Sequence, residues 1–366
     1  MTSALFSPIR IAELELPNRV VISPMCQYSA RDGCMTDWHL THLGSLANSG
    51  ASLLVFEATA VERHGRISHG DVGLYDDDCE AAMARVIAHC RRIGTAKLGI
   101  QIAHAGRKAS AQRPWEGGRA LSEAQDPWHT IAPSAIPFAP DWHTPREMTR
   151  ADIDRVRDAH VETAKRALRL GFDELELHGA HGYLMHEFFS PISNKRTDGY
   201  GGSLAARMRF LVEVAEAVRA VWPKDRPLGM RITGSDWMAG GVEPADAVAL
   251  GRELKRIGLD FLCVSSGGIS LDAKIAIGPN YQVPFAETVK REVGITTRAV
   301  GLIARPKQAE AIVAEGKADM VAFARAFLDN PHWAWMAARA LGAEVAMPVQ
   351  YQRAGVKNWP AAMYTD

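Results

Sequence analysis

The chain has 366 residues, of which 47% are hydrophobic, and its 42 basic side chains balance 42 acidic ones. This length is typical of an eight-stranded α/β barrel with insertions, and the zero formal charge argues against nucleic acid or an acidic membrane as a partner. The five cysteines form no C-x-x-C pair and no stretch of 18 apolar residues occurs, which predicts free thiols, no membrane span and a cytoplasmic protein.

Short apolar runs rich in branched residues recur eight times, with segments of helical period such as Ala151–Leu170 and Leu204–Val221 between them. The predicted strands are Val20–Ile22, Ser52–Glu57, Lys97–Ile102, Asp173–His178, Pro227–Ile232, Asp260–Val264, Thr297–Val300 and Asp319–Phe323. Eight strand–helix repeats predict a closed parallel (β/α)8 TIM barrel, with residues 1–366 forming one domain. The alternative is an open doubly wound sheet, which usually has a glycine-rich turn after its first strand; here that turn contains no glycine.

Two additions to the barrel are predicted. The alternation across Ile9–Leu16 predicts a small N-terminal β-hairpin that caps the barrel floor. The stretch Gly106–Thr149 is rich in Pro, Trp, Gly and Ser and has no periodicity. It therefore predicts a long loop after the third strand, on the catalytic face, where long loops usually form a lid or a pocket wall.

Polar residues collect at the carboxyl ends of the predicted strands, and the fourth strand carries the densest group, His178-Gly-Ala-His181-Gly-Tyr183. Two imidazoles can donate to one ligand oxygen, and a tyrosine hydroxyl can deliver a proton. The alternatives are half of a zinc site and a pair of core histidines. A third ligand at a telling spacing is missing, so no metal site is predicted. His39-x-x-His42 has the same spacing in a helix-like stretch and is interpreted as structural.

The last two predicted strands end in residues that suit a phosphate group. Loops after strands seven and eight of a TIM barrel often bind phosphate, and here they contain Gly301 and Arg325. Gln101 and Arg231 are placed to hydrogen-bond a ring system across the barrel mouth. The G-x-G-x-x-G and P-loop motifs are both missing, so a nicotinamide nucleotide, if one is used, must enter the barrel mouth and leave again.

The chain resembles the Old Yellow Enzyme family of FMN-dependent ene-reductases, in the branch of the thermophilic-like enzymes and xenobiotic reductases, over essentially its whole length. The motifs that carry the resemblance are Ser23-Pro-Met-Cys-Gln-Tyr28, Glu57-Ala-Thr-Ala60, Gly99-Ile-Gln-Ile-Ala-His-Ala-Gly-Arg-Lys108, Ile131-Ala-Pro-Ser134, His178-Gly-Ala-His-Gly-Tyr-Leu184, Ser193-Asn-Lys-Arg-Thr-Asp-Gly-Tyr-Gly-Gly202 and Pro348-Val-Gln-Tyr351. It implies a ping-pong cycle in which NADPH, with NADH as the alternative, reduces tightly bound FMN. An α,β-unsaturated carbonyl compound then takes hydride at the β-carbon and a proton at the α-carbon.

The resemblance also implies a role for each matching residue. The implied catalytic residues are Tyr183 as proton donor, His178 and His181 as holders of the substrate oxygen, and Cys26 beside the flavin. The implied substrate-binding residues are Tyr28, His178, His181, Lys108 and Arg353. The implied FMN-binding residues are Ser23, Pro24, Met25, Cys26, Ala58, Gln101, Arg231, Gly301, Ala324 and Arg325.

Some positions depart from the family pattern. Ala324 replaces a frequent glycine before the phosphate arginine, and Val300 replaces a tryptophan found in some relatives, which enlarges the predicted pocket. Arg353 matches an arginine that reaches into a neighbouring subunit, and this favours a homodimer or homotetramer; Trp359 is an alternative tail residue for closing a pocket. Two alternative functions remain open, namely FMN-dependent reduction of nitro compounds or nitrate esters, and non-catalytic binding of flavin or phenols.

Overall fold

The computed structural model describes residues 3–364. Its strands are β1 (Ile9–Ile11), β2 (Leu14–Leu16), β3 (Val20–Ile22), β4 (Leu53–Ala60), β5 (Lys97–Ala103), β6 (Ile131–Ala132), β7 (Arg146–Glu147), β8 (Glu174–Gly179), β9 (Leu228–Thr233), β10 (Phe261–Ser265), β11 (Thr296–Ala299) and β12 (Met320–Phe323). Its α-helices are α1 (Asp37–Ala47), α2 (Asp77–Ile93), α3 (Arg150–Arg169), α4 (Leu184–Phe189), α5 (Leu204–Val221), α6 (Pro244–Arg256), α7 (Val283–Val293), α8 (Pro306–Ala314), α9 (Arg325–Asp329) and α10 (Trp333–Ala340).

Eight strands close into a parallel barrel in the order β3-β4-β5-β8-β9-β10-β11-β12. All eight are strands that the sequence predicted, and the (β/α)8 barrel is confirmed. The largest difference lies at β4, which was predicted to end at Glu57 and continues to Ala60. The pairing of β4 with β5 shifts register between Phe56 and Thr59, so a bulge interrupts the ladder near the end of β4.

Side chains alternate along every barrel strand between the interior and the helical layer. The outward-facing residues, such as Leu175 and Leu177 on β8, belong to the large core that the barrel shares with its helices. The inward-facing residues of β3, β4, β10 and β12 form a second, smaller cluster that includes Val21, Val55 and Phe261. The apolar filling of the barrel therefore comes mainly from β3, β4, β10 and β12.

The predicted hairpin and long loop are both present. Strands β1 and β2 pair antiparallel, and their buried residues Ile11 and Leu16 join the smaller cluster, so the hairpin closes the barrel floor. The stretch after β5 contains short 3-10 turns and the parallel pair β6–β7, with no long helix. Within residues 3–364, every helix falls short of the length or hydrophobicity that a bilayer-spanning helix needs.

The His39-x-x-His42 motif lies on α1, as its structural interpretation requires. His39 is completely buried, and its Nδ1 accepts a hydrogen bond from the backbone N–H of Thr36 at 3.0 Å. The Nε2 atom of the same ring lies 3.5 Å from the Glu57 carboxylate. The motif therefore connects the start of α1 to the end of β4 from behind the barrel mouth.

Candidate active site

The turn after β8 holds His178, His181 and Tyr183 in an unusual backbone conformation. His181 has φ +61° and Gly182 has φ +74°, both in the left-handed region that most side chains avoid. A Cβ at Gly182 would lie 2.1 Å from the carbonyl oxygen of Gly268, so only glycine fits this close approach. The turn is therefore pressed against the loop that follows β10.

A buried histidine–aspartate pair supports this turn from below. The backbone N–H of Gly182 donates to Nδ1 of His186 at 2.8 Å, so Nδ1 is an acceptor and the ring proton lies on Nε2. Nε2 then donates to Asp236 at 2.8 Å, and Ser190 donates to the other oxygen of the same carboxylate. His186 and Asp236 are fully buried, so the turn is anchored to α4 and to the loop after β9.

Two imidazoles and one phenol pack edge to face at this turn. The ring centroid of His178 lies 5.1 Å from that of His181 and 4.9 Å from that of Tyr183. Burial, followed by the repulsion that would arise if both neighbouring imidazoles were charged, lowers the pKa of His178 well below its ordinary range, and burial does the same to His181. Burial raises the pKa of Tyr183 well above its ordinary value. The group therefore consists of two neutral imidazoles and a protonated phenol.

Hydrogen bonds define which ring nitrogens remain available. His178 Nδ1 accepts from the backbone N–H of Ala180 at 3.3 Å, so the proton of His178 lies on Nε2. His181 Nε2 lies 2.7 Å from Ser265 Oγ, which also accepts from Gln282 Nε2 at 3.0 Å. A serine hydroxyl can donate one hydrogen bond and accept two, so this contact is compatible with either tautomer of the neutral His181 ring. His178 thus keeps its Nε2–H for a ligand.

Lys108 joins the two loops behind the histidines. Its Nζ donates to the carbonyl oxygens of His181 at 2.9 Å and of Gly268 at 3.2 Å. It also lies 5.1 Å from the centre of the Tyr183 ring. Burial lowers the pKa of Lys108 to about 8. The structure thus places Lys108 beside the proposed proton donor, with its hydrogen bonds directed to backbone.

The segment after β3 forms another wall of the site. Burial, followed by the charge of Asp71, raises the pKa of the Cys26 thiol well above its ordinary value, so Cys26 is a neutral thiol. Tyr28 has φ +50°, and its carbonyl oxygen accepts from Arg113 Nε at 3.0 Å. Gly70 allows this conformation, since a Cβ there would lie 2.2 Å from the same oxygen.

A cavity of about 690 Å³ opens beside these walls at the barrel mouth. Its volume lies within the usual range for small-molecule and cofactor sites. The predicted site residues that line it are Ser23, Pro24, Lys108, His181, Arg231, Gly301, Ala324 and Arg325. Val300 lines the same cavity, as its predicted influence on the pocket requires.

The family model of the NADH:flavin oxidoreductase / NADH oxidase family matches residues 4–344. The chain belongs to this family. An NADPH dehydrogenase of Geobacillus sp. (strain WCH70) is 45% identical over 355 residues, which cover 96% of this chain and 99% of the relative. A structure of morphinone reductase has a TM-score of 0.78 at 26% identity and covers 95% of this chain and 92% of that one. Another, of morphinone reductase in complex with tetrahydroNAD, has a TM-score of 0.76 at 26% identity and covers 94% of this chain and 92% of that one.

These comparisons confirm the resemblance to the Old Yellow Enzyme family, so the chain is an FMN-dependent oxidoreductase enzyme. The cavity fits FMN by its own chemistry. Gly301 has φ +114°, and a Cβ there would lie 2.9 Å from the backbone nitrogen of Gln282. The position therefore requires glycine, and backbone without a side chain lines the cavity here. Exposed Arg325 follows it on the next strand end and offers a guanidinium to a phosphate. Arg231 also lines the cavity, and its guanidinium donates to Ser23 Oγ at 3.4 Å.

Other predicted residues lie around the cavity or outside it. Ala58 and Tyr183 line a separate cavity of about 10 Å³, together with Asp71. Gln101 is buried directly below the mouth and donates from Nε2 to Glu176 at 2.6 Å. Met25 packs against the outer core. Arg353 lies in an exposed 3-10 helix and does not line the cavity of its own chain.

Several residues of the site were missed in the sequence. Ser265 ends the sixth barrel strand, a position that the strand-end pattern marks, and it contacts His181 directly. Gln282 lies far along the loop that follows and carries no sequence signal. Asp71 follows no predicted strand, yet its carboxylate raises the Cys26 pKa; burial raises the pKa of Asp71 itself to about 6. Within residues 3–364, no group of three or more His, Cys, Asp or Glu side chains is arranged to hold a metal ion.

Proposed function

We propose that this chain is an NADPH-dependent ene-reductase that reduces the C=C bond of α,β-unsaturated carbonyl compounds. The observation that carries the proposal is the group formed by His178, His181 and Tyr183. It places two neutral imidazoles and one protonated phenol beside a cavity suited to FMN, with the ring centroid of His178 about 5 Å from those of His181 and Tyr183. NADPH is the proposed reductant because the relatives are called NADPH dehydrogenases, and NADH is the alternative.

The roles of the residues follow from their protonation. His178 Nε2–H and the N–H of His181 donate to the carbonyl oxygen of the substrate, which polarises the alkene and stabilises the negative charge that develops on that oxygen. Bound FMN supplies the hydride that is added to the β-carbon. Tyr183 gives its phenolic proton to the α-carbon and recovers a proton from solvent, so the substrate gains one hydride and one proton in total.

A spectroscopic experiment tests this proposal directly. The purified protein should be yellow, should bleach when NADPH is added under nitrogen, and should regain its colour when 2-cyclohexenone is added. The saturated ketone is measured as the product, and nitrobenzene serves as the competing electron acceptor. Reoxidation by nitrobenzene without any reoxidation by enones would assign the enzyme to the alternative nitro-reducing class.

The protonation of the histidines gives a prediction for the pH dependence. The pKa values of His178 and His181 lie well below the ordinary value of about 6.5, so both rings stay neutral as the pH falls through that value. We expect the rate of enone reduction by the pre-reduced enzyme to show no acid limb centred near 6.5. Rapid-mixing measurements at a series of pH values test this. An acid limb there that H181A removes would contradict the neutral state assigned to the pair.

We also infer that the chain forms a homodimer or homotetramer in which Arg353 contributes to a neighbouring site. The segment that carries Arg353 exposes Val349 and Tyr351, and Trp359 beyond it is 44% exposed. Exposed large apolar side chains close together are typical of interaction surfaces. Light scattering of wild type and of Y351S tests the assembly, and an unchanged monomeric mass in both would contradict it.

A further inference from the structure

The interior of the barrel is polar on one side. TIM-barrel interiors are usually filled by bulky branched residues. Here the inward-facing positions from β5 to β11 are instead occupied by Gln101, Glu174, Glu176, Arg231, Cys263 and Arg298. All are buried, none more than 6% exposed.

These side chains form one connected ladder that rises from the barrel centre to the mouth. At its base Arg298 pairs with both oxygens of Glu174, and its guanidinium lies 3.7 Å above the ring of Phe261. Arg298 also lies 3.9 Å from the Glu176 carboxylate. Glycines on neighbouring strands make the room, since a Cβ at Gly229 would lie 2.4 Å from Phe261.

The upper part of the ladder reaches the cavity. Glu176 Oε1 accepts from Gln101 Nε2 at 2.6 Å and lies 3.6 Å from Arg231 Nε. Arg231 Nε also donates to Cys263 Sγ at 3.3 Å, while its NH2 group reaches Ser23 at the cavity wall. Glu176 therefore contacts the two residues below the mouth that are expected to meet the flavin ring.

Stability alone does not explain this arrangement. Each buried ion costs several kcal/mol to desolvate, and replacing buried ion pairs by apolar residues is often neutral or stabilising. The ladder contains two arginines and two glutamates, so its formal charge is balanced. A charge-neutral ladder that connects to a cofactor cavity is better explained by the cofactor than by the fold.

We propose that Glu176 is a positioning residue for FMN, which fixes the orientation of Gln101 and Arg231 and sets the charge that they present to the flavin. Because Nε2 of Gln101 is held by Glu176, the amide oxygen of Gln101 is turned away from Glu176 and is left as an acceptor. Arg231 is held by Glu176 and Cys263 and presents its remaining N–H groups at the wall. The proposal rests on FMN binding and is independent of which substrate reoxidises the flavin.

The charge of Glu176 also matters for the reduced cofactor. Reduction adds negative charge to the flavin, and positive charge below the mouth favours that form. The Glu176 carboxylate offsets Arg231 and Arg298 and thereby limits this preference. Removing its charge is expected to make the bound flavin easier to reduce.

The test uses the FMN-loaded enzyme and two measurements, the dissociation constant of oxidised FMN and the midpoint potential of bound FMN. E176Q is expected to weaken FMN binding on the order of 10-fold, as for the loss of one charge-assisted hydrogen bond. It should also change the ratio of the oxidised and reduced dissociation constants about tenfold toward reduced FMN, which is a positive shift of about 30 mV for a two-electron couple.

E174Q is the matched control, because it removes the same charge from the same strand one inward-facing position deeper. In E174Q, the ratio of the oxidised and reduced dissociation constants is expected to change by less than about threefold, because the interaction weakens with distance from the flavin. Gln101 also keeps its partner in this variant. If E176Q does not fold, the same measurements on E176D test the proposal, because E176D keeps the negative charge but moves the carboxylate away from Gln101. E176D should weaken FMN binding with little change in potential.

Three outcomes would overturn the proposal. The first is wild-type FMN affinity and potential in E176Q. The second is an equal potential shift in E176Q and E174Q, which would mean that charge anywhere in the barrel has this effect. The third is wild-type FMN affinity in E176D.

Discussion

H178A should reduce enones roughly 10²–10³-fold more slowly than the wild-type enzyme, the loss typical of removing one oxyanion donor. The reason is the geometry of the ring. His178 Nδ1 accepts from the Ala180 backbone, so Nε2–H is its only free donor, and burial keeps the imidazole neutral. Alanine removes that donor and leaves FMN-binding residues such as Arg325 untouched. The measurement is the rate of flavin reoxidation after mixing the pre-reduced variant with 2-cyclohexenone.

The control for H178A is H42A, since His42 belongs to a motif of the same spacing on the outer helix α1. H42A should reoxidise at the wild-type rate. Flavin reduction by NADPH should persist in H178A, and FMN should stay bound. Unchanged reoxidation would remove His178 from the mechanism, whereas loss of FMN from H178A would make its role structural. The double variant H178A/H181A should lose less than the product of the two single losses, because both donors act on one oxygen.

The barrel could be predicted because its signal repeats. Each strand is a short buried run between helices of regular period, and the sequence placed β3 and α5 at the bounds that the structure has. The miss at β4 has a physical cause, since the bulge after Phe56 lets the strand continue through polar Glu57 and reach Ala60. A bulge depends on the partner strand and leaves no mark in the pattern of a single strand.

The functional residues that lie at strand ends could be predicted from the sequence. His178 and Tyr183 could be found because β8 ends there, and Arg325 because the last strand ends beside it. The side chains that each of these residues contacts could not be predicted from the sequence. Alternation identifies Glu176 as inward-facing but does not show that it meets Gln101 and Arg231. The same limit applies to Ser265, whose contact with His181 joins residues 84 positions apart.

The contacts that support the turn after β8 explain how three functional residues can lie within six consecutive positions of the chain. His181 and Gly182 adopt left-handed conformations that cost free energy unless the surroundings enforce them. His186 holds the Gly182 amide from one side, and Lys108 holds the His181 carbonyl from the other. The turn is thereby fixed before a ligand arrives, which is the condition under which hydrogen-bond donors lower a barrier most effectively.

Y183F should lower the rate at which the saturated ketone forms by roughly 10²–10⁴-fold, the range that general acids supply. Tyr183 immediately precedes α4 at its N-cap position, and its ring packs edge-on against His178, so the hydroxyl is held at a fixed place. Burial raises its pKa well above the ordinary value, so the proton is present at any pH where the enzyme works. Phenylalanine keeps the ring for this packing and removes only the hydroxyl group that carries the proton. The measurement is ketone formation in a single turnover, in water and in deuterium oxide.

Tyr28 provides the matched control, because it is a second tyrosine at the same mouth and burial raises its pKa as well. Its ring packs edge-on against Trp115 in the long loop, which suits a residue that shapes the substrate pocket. Y28F should therefore change the enone concentration needed for half-maximal rate and leave the single-turnover rate at saturation nearly intact. A loss of less than tenfold in Y183F would assign the proton to solvent instead. An equal loss at saturation in both variants would show that the rate depends on the shape of the mouth, since only one of the two hydroxyls can lie nearest the α-carbon.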